Sequence, residues 1–106
     1  MKPQDLFDKM PAAFVPEKAQ GVNATVQIEL SGEDGGTWVV NIADGKATVT
    51  QEPVDAPTMT LAMDAQDYMD MVTGKLNPMN AFMQGKVKLK GDMGLAMKFQ
   101  NMFKLG

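Results

Sequence analysis

Strict alternation of apolar and polar positions organises the first half of the chain. From Asn23 to Leu30, Ala24, Val26, Ile28 and Leu30 fall on one side, and Thr25, Gln27 and Glu29 on the other. A period of two is the signature of a half-buried strand. After a Gly- and Asp-rich turn over 31–36, alternation resumes over 37–43 with Trp38, Val40 and Ile42 inward. Asp44-Gly45 is the strongest hairpin signal in the sequence, because both central residues of a tight two-residue turn need positive φ. A third strand over 46–51 follows, through Ala47 and Val49. These three strands are predicted to form a consecutive antiparallel meander. A loop with two prolines, 52–57, leads to a fourth strand over 58–63 with Met59, Leu61 and Met63 on one face. A fifth strand, 86–90, points Val87 and Leu89 in and Lys86, Lys88 and Lys90 out.

Between and around the strands the period changes to that of helices. Pro3 suits a first helical position and Asp5 the positive end of the helix dipole. Phe7, Met10 and Phe14 then recur at helical spacing, with Pro11 and Pro16 expected to limit or kink the helix. Asp64 is positioned to cap a second helix, with Met63 against Tyr68 as a hydrophobic staple and Gly74 as its stop. Asn77-Pro78 opens a third, short helix that lines Met79, Phe82 and Met83 along one side and ends at Gly85. Asp92 caps a last helix expected to run to about Lys104. On a wheel of about 100° per residue, Leu95, Phe99, Met102 and Phe103 share one arc and Met93, Ala96, Met97 and Gln100 a second. The apolar arc covers roughly 220°, wider than the ~100° stripe that one core contact needs. One face can pack on the sheet. The other either wraps into a small core or lines a cavity, with Gln100 a polar group beside the cavity or a core amide.

Composition sharpens this picture. The 106 residues fit one domain, 1–106, without repeats or linkers. No apolar run approaches the ~20 residues of a membrane span, and neither end carries a recognisable targeting signal. The absence of cysteine fits a reducing compartment, and a cytoplasmic location is expected. Eleven residues are methionine, nine of them at or after Met59, while His, Cys and Arg are missing altogether. Methionine adapts to irregular apolar shapes. A chain rich in it and poor in catalytic side chains reads as a carrier rather than an enzyme. No cofactor and no metal site are expected. Asp67 and Asp70, a helical turn apart, read as solvated surface, and Trp38 as sheet-face core.

Charge is lopsided. Residues 1–74 hold four lysines against twelve acids, and residues 75–106 hold six lysines against Asp92 alone. The basic third is also the methionine-rich third. Its lysines either keep a face solvated or dock on anionic headgroups. The alternating Lys86, Lys88 and Lys90 would serve equally to block edge-to-edge strand pairing. Without Arg, and with one Trp and one Tyr, nucleic-acid binding is not expected.

The stretch from Gly74, GKLNPMNAFMQGKVKLKGDMGLAMKFQ, resembles the signature of the sterol carrier protein-2 family, the non-specific lipid-transfer proteins. Gly74-Lys75-Leu76-Asn77-Pro78, Ala81-Phe82, Gln84-Gly85-Lys86, Gly91-Asp92 and Leu95-Ala96-Met97-Lys98 carry the match. Upstream, Pro16-Glu17-Lys18-Ala19, Gly21-Val22-Asn23-Ala24-Thr25 and Gly36-x-Trp38 agree with it, so the resemblance spans essentially the whole chain. It implies an α+β fold: a five-stranded, mostly antiparallel sheet covered on one face by helices, with an apolar tunnel between them. It implies a low-specificity carrier of fatty acids, acyl-CoA, sterols or phospholipids, or else an accessory domain that presents a lipid to a partner enzyme. The chain end lacks the peroxisomal tripeptide of eukaryotic members, so that location is not carried over. Candidate lipid contacts are Phe14, Met59, Leu61, Tyr68, Met69, Met71, Val72, Phe82, Met83, Met93, Ala96, Met97 and Gln100. Candidate headgroup or membrane contacts are Lys75, Lys86, Lys88 and Lys90.

Overall fold

The computed structural model describes residues 2–99 and 102–103, with the backbone alone for Pro78, Ala96 and Met97. In chain order the elements are α1 (Pro3–Ala13), a 3-10 turn (Pro16–Ala19), β1 (Ala24–Ser31), β2 (Gly36–Ala43), β3 (Lys46–Thr50) and β4 (Met59–Asp64). Then come α2 (Ala65–Val72), α3 (Pro78–Met83), β5 (Val87–Gly91) and α4 (Met93–Phe99). The five strands form one sheet in the order β3-β2-β1-β4-β5.

The meander β1-β2-β3 is antiparallel, as the alternation requires. Val26 faces Val40 and Ile28 faces Trp38, and Val40 in turn faces Val49. Asp44 (φ 54°) and Gly45 (φ 74°) both take the left-handed conformation that closes the β2-β3 hairpin. The chain then crosses to the other side of β1, where β4 pairs in parallel, Ile28 beside Leu61. β5 completes the sheet antiparallel to β4, with Leu61 against Leu89 and Met63 against Val87. The fold is thus α+β with one parallel pair in a mostly antiparallel sheet.

The inward positions of all five strands meet the helices. Val26, Ile28, Val40, Ile42 and Met59 are fully buried together with Phe7 and Met10 of α1 and Met102. Three features of this packing have clear physical causes. Pro11 lies inside α1 and does not end it. Its missing N–H costs one hydrogen bond near the last turn, and burial of Leu6, Phe7 and Met10 offsets that loss. Phe14 falls after the helix, with extended backbone, and bridges to Phe103 instead. Val39 is also buried although it points away from the helices. The loop from β3 to β4 lies on that outer face: the Val54 N–H donates to Gln27 Oε1 at 3.0 Å, and Gln27 is Val39's neighbour across the β1-β2 ladder.

α4 is described over Met93–Phe99, and the rest of its expected course to about Lys104 falls largely outside the described residues. Its predicted core arc is nonetheless in place, with Leu95, Phe99, Met102 and Phe103 all buried.

Candidate functional site

Two ends of the helical layer differ in how completely they cover the sheet. Over β2 and β1 the cover is closed. The Phe7 ring stacks on Trp38 at 4.7 Å and on Tyr68 at 5.7 Å, near-parallel in both cases. This column ties α1 to the sheet and to α2. Gln4 fastens its edge: its Oε1 accepts from Trp38 Nε1 at 3.3 Å and from Gln51 Nε2 at 2.9 Å. Burial pushes the Tyr68 phenol well above its ordinary range, because the phenolate would be desolvated there.

Over β4 and β5 the cover is made of short pieces. Asp64 caps α2 by accepting from the N–H groups of Gln66 and Asp67 at 2.9 and 3.2 Å. Asn77 caps α3 by accepting from Met79 and Asn80, and Asp92 Oδ1 accepts from the Leu95 N–H at 3.1 Å. These caps set where each helix starts and therefore which side chains it aims at the sheet. α2 sends Tyr68, Met69 and Met71 inward. Among its described side chains α3 sends only Ala81 inward. Val72, Leu76 and Leu89 are half-buried against the core at this end, and Met93, at the start of α4, is 46% exposed.

The candidate lipid contacts therefore fall into groups. Met59, Leu61, Tyr68, Met69 and Met71 are buried in the core. Val72 and Phe14 are half-buried, Phe14 tilted against Phe103 with ring centres 5.4 Å apart. Phe82, Met83 and Met93 are exposed. The side chains of Ala96 and Met97 and the whole of Gln100 lie outside the described residues. The four candidate docking lysines, Lys75, Lys86, Lys88 and Lys90, are all exposed. Asp70 does structural work: its carboxylate accepts from Gln66 and its carbonyl from the N–H groups of Lys75 and Leu76.

One cleft lies apart from all of these. It holds about 440 Å³ between the 3-10 turn and the β2-β3 hairpin, lined by Pro16, Glu17, Gln20, Val22, Asn23 and Asp44 among others. None of the sequence-derived candidates lines it. Among the described residues no group of three or more His, Cys, Asp or Glu side chains is arranged to hold a metal ion.

A family model described as the SCP-2 sterol transfer family matches residues 5–104. The chain belongs to that family. Among curated relatives, hydroxysteroid dehydrogenase-like protein 2 of Xenopus tropicalis is 38% identical over 92% of this chain, and that of Homo sapiens 40% identical over 93%. In each case the match covers 24% of the relative, so the chain spans about a quarter of their length. Solved structures confirm the family fold. Sterol carrier protein 2 like 2 of Aedes aegypti superposes with a TM-score of 0.75 at 23% identity, covering 94% of this chain and 91% of that one. Its palmitated form, solved by NMR, gives 0.76 at 26% identity, covering 95% and 93%. The sec-alkylsulfatase Pisa1 of Pseudomonas sp. gives 0.84 at 22% identity and contains the same fold over 16% of its length. The family signal was legible in the sequence motifs. The uneven cover of the sheet was not.

Proposed function

We propose that this SCP-2 domain is a lipid carrier that takes up the hydrocarbon tail of a fatty acid, acyl-CoA, sterol or phospholipid at the β4-β5 end. One observation carries the reading: here the apolar wall of the sheet is incompletely roofed. Val72, Leu76 and Leu89 are half-buried and Met93 is largely open to water. Over β1 and β2 the same wall is covered by the Phe7 column. A tail lying along this wall would complete its cover. The palmitate carried by the Aedes aegypti relative supports a tail of that kind.

The energetics suit a carrier. Each buried CH₂ contributes about 0.8 kcal/mol, so a long tail supplies affinity without directional bonds. Such a wall measures length and barely discriminates headgroups or small differences in shape. Met69, Met71 and Met93 supply side chains that repack around different tails. The chain then carries its ligand and does not transform it. Attachment to an enzyme is a property of its longer relatives, and the carrier reading requires none.

The test is a titration with a fluorescent fatty acid. Met93→Asp places a charge that must be desolvated beside the tail, and the affinity is expected to fall at least tenfold. Val54→Asp, at another exposed apolar side chain on the opposite face of the sheet, is expected to leave it unchanged. Equal affinities for both variants, with circular dichroism showing both folded, would move the site away from this end.

A further inference from the structure

We infer that α3 is a membrane-docking wedge for anionic bilayers. The inference deepens the carrier reading and rests on it for its purpose, since a carrier must meet the bilayer it loads from. The physical argument stands on α3 itself. The helix has six residues, and Met79, Phe82 and Met83 occupy one face at the i, i+3, i+4 spacing. That face looks at water: Met79 is 61% exposed, Phe82 46% and Met83 77%. Ala81, on the opposite face, is completely buried and anchors the helix. The helix is therefore held by its smallest apolar residue and presents its three largest outward. Single exposed apolar side chains are ordinary, but three on one helical face mark a surface that something else covers.

Charge identifies the cover. Residues 75–91 contain Lys75, Lys86, Lys88 and Lys90 and no acid. Lys75 precedes α3 and Lys86 follows it, the Lys86 N–H donating to the Ala81 carbonyl at 2.9 Å. Lys88 and Lys90 continue along β5, the edge strand against which α3 packs. All four are exposed, and among the described residues the one ion pair joins Lys2 to Asp34 on the other side of the chain's charge divide. An apolar ridge flanked by lysines matches an interface of hydrocarbon beneath anionic headgroups. A second copy of this chain would set lysines against lysines, and a water-facing role would gain nothing from Phe82.

Vesicle flotation tests this with phosphatidylcholine liposomes containing 30% phosphatidylglycerol, against pure phosphatidylcholine. Wild-type protein is expected to float with the anionic vesicles only. Replacing Met79, Phe82 and Met83 together by Ser is expected to lower the partition coefficient at least tenfold with the circular dichroism unchanged. Replacing Lys75, Lys86, Lys88 and Lys90 by Gln is expected to lower it to a similar degree and to remove most of its salt dependence. A reporter tryptophan at position 83 (Met83→Trp) is expected to shift to the blue and to be quenched by brominated acyl chains, which signals insertion rather than surface contact. Wild-type protein that stays with the buffer, a Ser variant that floats like the wild type, or a reporter left unquenched would each overturn the wedge. So would a wild-type dimer in sedimentation that the Ser variant breaks without loss of flotation. Fluorescent fatty acid binding, measured on the wild type without vesicles, separates the two proposals: binding without flotation keeps the carrier and removes the wedge, and flotation without binding does the reverse.

Discussion

The molecule uses the same kind of residue in opposite ways at its two ends. Around α1, β2 and α2, large apolar side chains are locked in a column, Trp38 on Phe7 on Tyr68, with almost no exposure. Around α3 and the start of α4, Met79, Phe82, Met83 and Met93 stand in water, and within α3 small Ala81 is the buried side chain among those described. The first end is a stability element, and aromatic rings suit it because they are rigid and bury large areas. The second spends little on stability, and unbranched methionine suits it because it must meet partners of variable shape. Apolar content alone does not separate the two. What separates them is which face of each helix the caps and glycines turn inward.

The largest test of the contrast is Phe7→Ala. It removes the middle ring of the column and leaves a cavity between Trp38 and Tyr68. Unfolding in urea should show a loss of about 3–5 kcal/mol. A loss below about 1 kcal/mol would mean that α1 is loosely held and that the two ends are alike.

Tyr68 gives the next effect and has a defined sign. Its phenol is raised in the folded protein by burial. Between the ordinary tyrosine value of about 10 and the raised one, the unfolded chain has lost the proton and the folded chain has kept it. Stability from the buried neutral phenol is therefore fully present below about pH 10 and falls above it, by about 1.4 kcal/mol per pH unit. Tyr68→Phe should flatten that part of the profile relative to wild type. Parallel alkaline profiles for the two proteins would show that the phenol is solvated and the column open.

Asp64→Ala should cost about 1 kcal/mol, because two N–H groups at the start of α2 lose their acceptor. The same cap aims Tyr68 at Phe7, so thermal unfolding of Asp64→Ala and Phe7→Ala, singly and together, reports whether the losses add. Coupling above about 0.5 kcal/mol would tie α2 to the sealed end, and strict additivity would detach it.

Much of this architecture was legible in the residues. Alternation over 23–30 and 37–43 assigned the inward side chains of β1 and β2, and Asp44-Gly45 fixed the hairpin between them. Caps at Asp64, Asn77 and Asp92 and stops at Gly74 and Gly85 bounded the helices. The misses share a cause: each depends on what a neighbour does. Val39 is buried because a distant loop lies over it, which no local period records. Phe14 keeps helical spacing with Met10 but leaves the helix to meet Phe103. In α3 the row Met79, Phe82, Met83 was found, yet a helix of fewer than two turns has no second apolar face for comparison. Only the structure shows that Ala81 faces in.

Methionine oxidation probes the contrast most gently, since it reads exposure without a substitution. Sulfoxide forms fastest on thioethers that meet solvent. In dilute peroxide, Met83, Met79 and Met93, at 77%, 61% and 46% exposure, should be modified well before Met10, Met59 and Met102, at 1% or less. Peptide mapping by mass spectrometry resolves the order. Because the exposed three contribute little to the core, their conversion should change unfolding free energy by no more than about 0.5 kcal/mol. Oxidation of Met59 at a rate close to that of Met83 would mean that the sheet face opens in solution as readily as α3, and the division into a sealed end and an open end would fail. If the order holds, each oxidised thioether on α3 becomes polar while the fold persists, so the treated protein should lose affinity for anionic vesicles with its stability intact. That outcome would separate the two uses of apolar side chains within one unmutated chain.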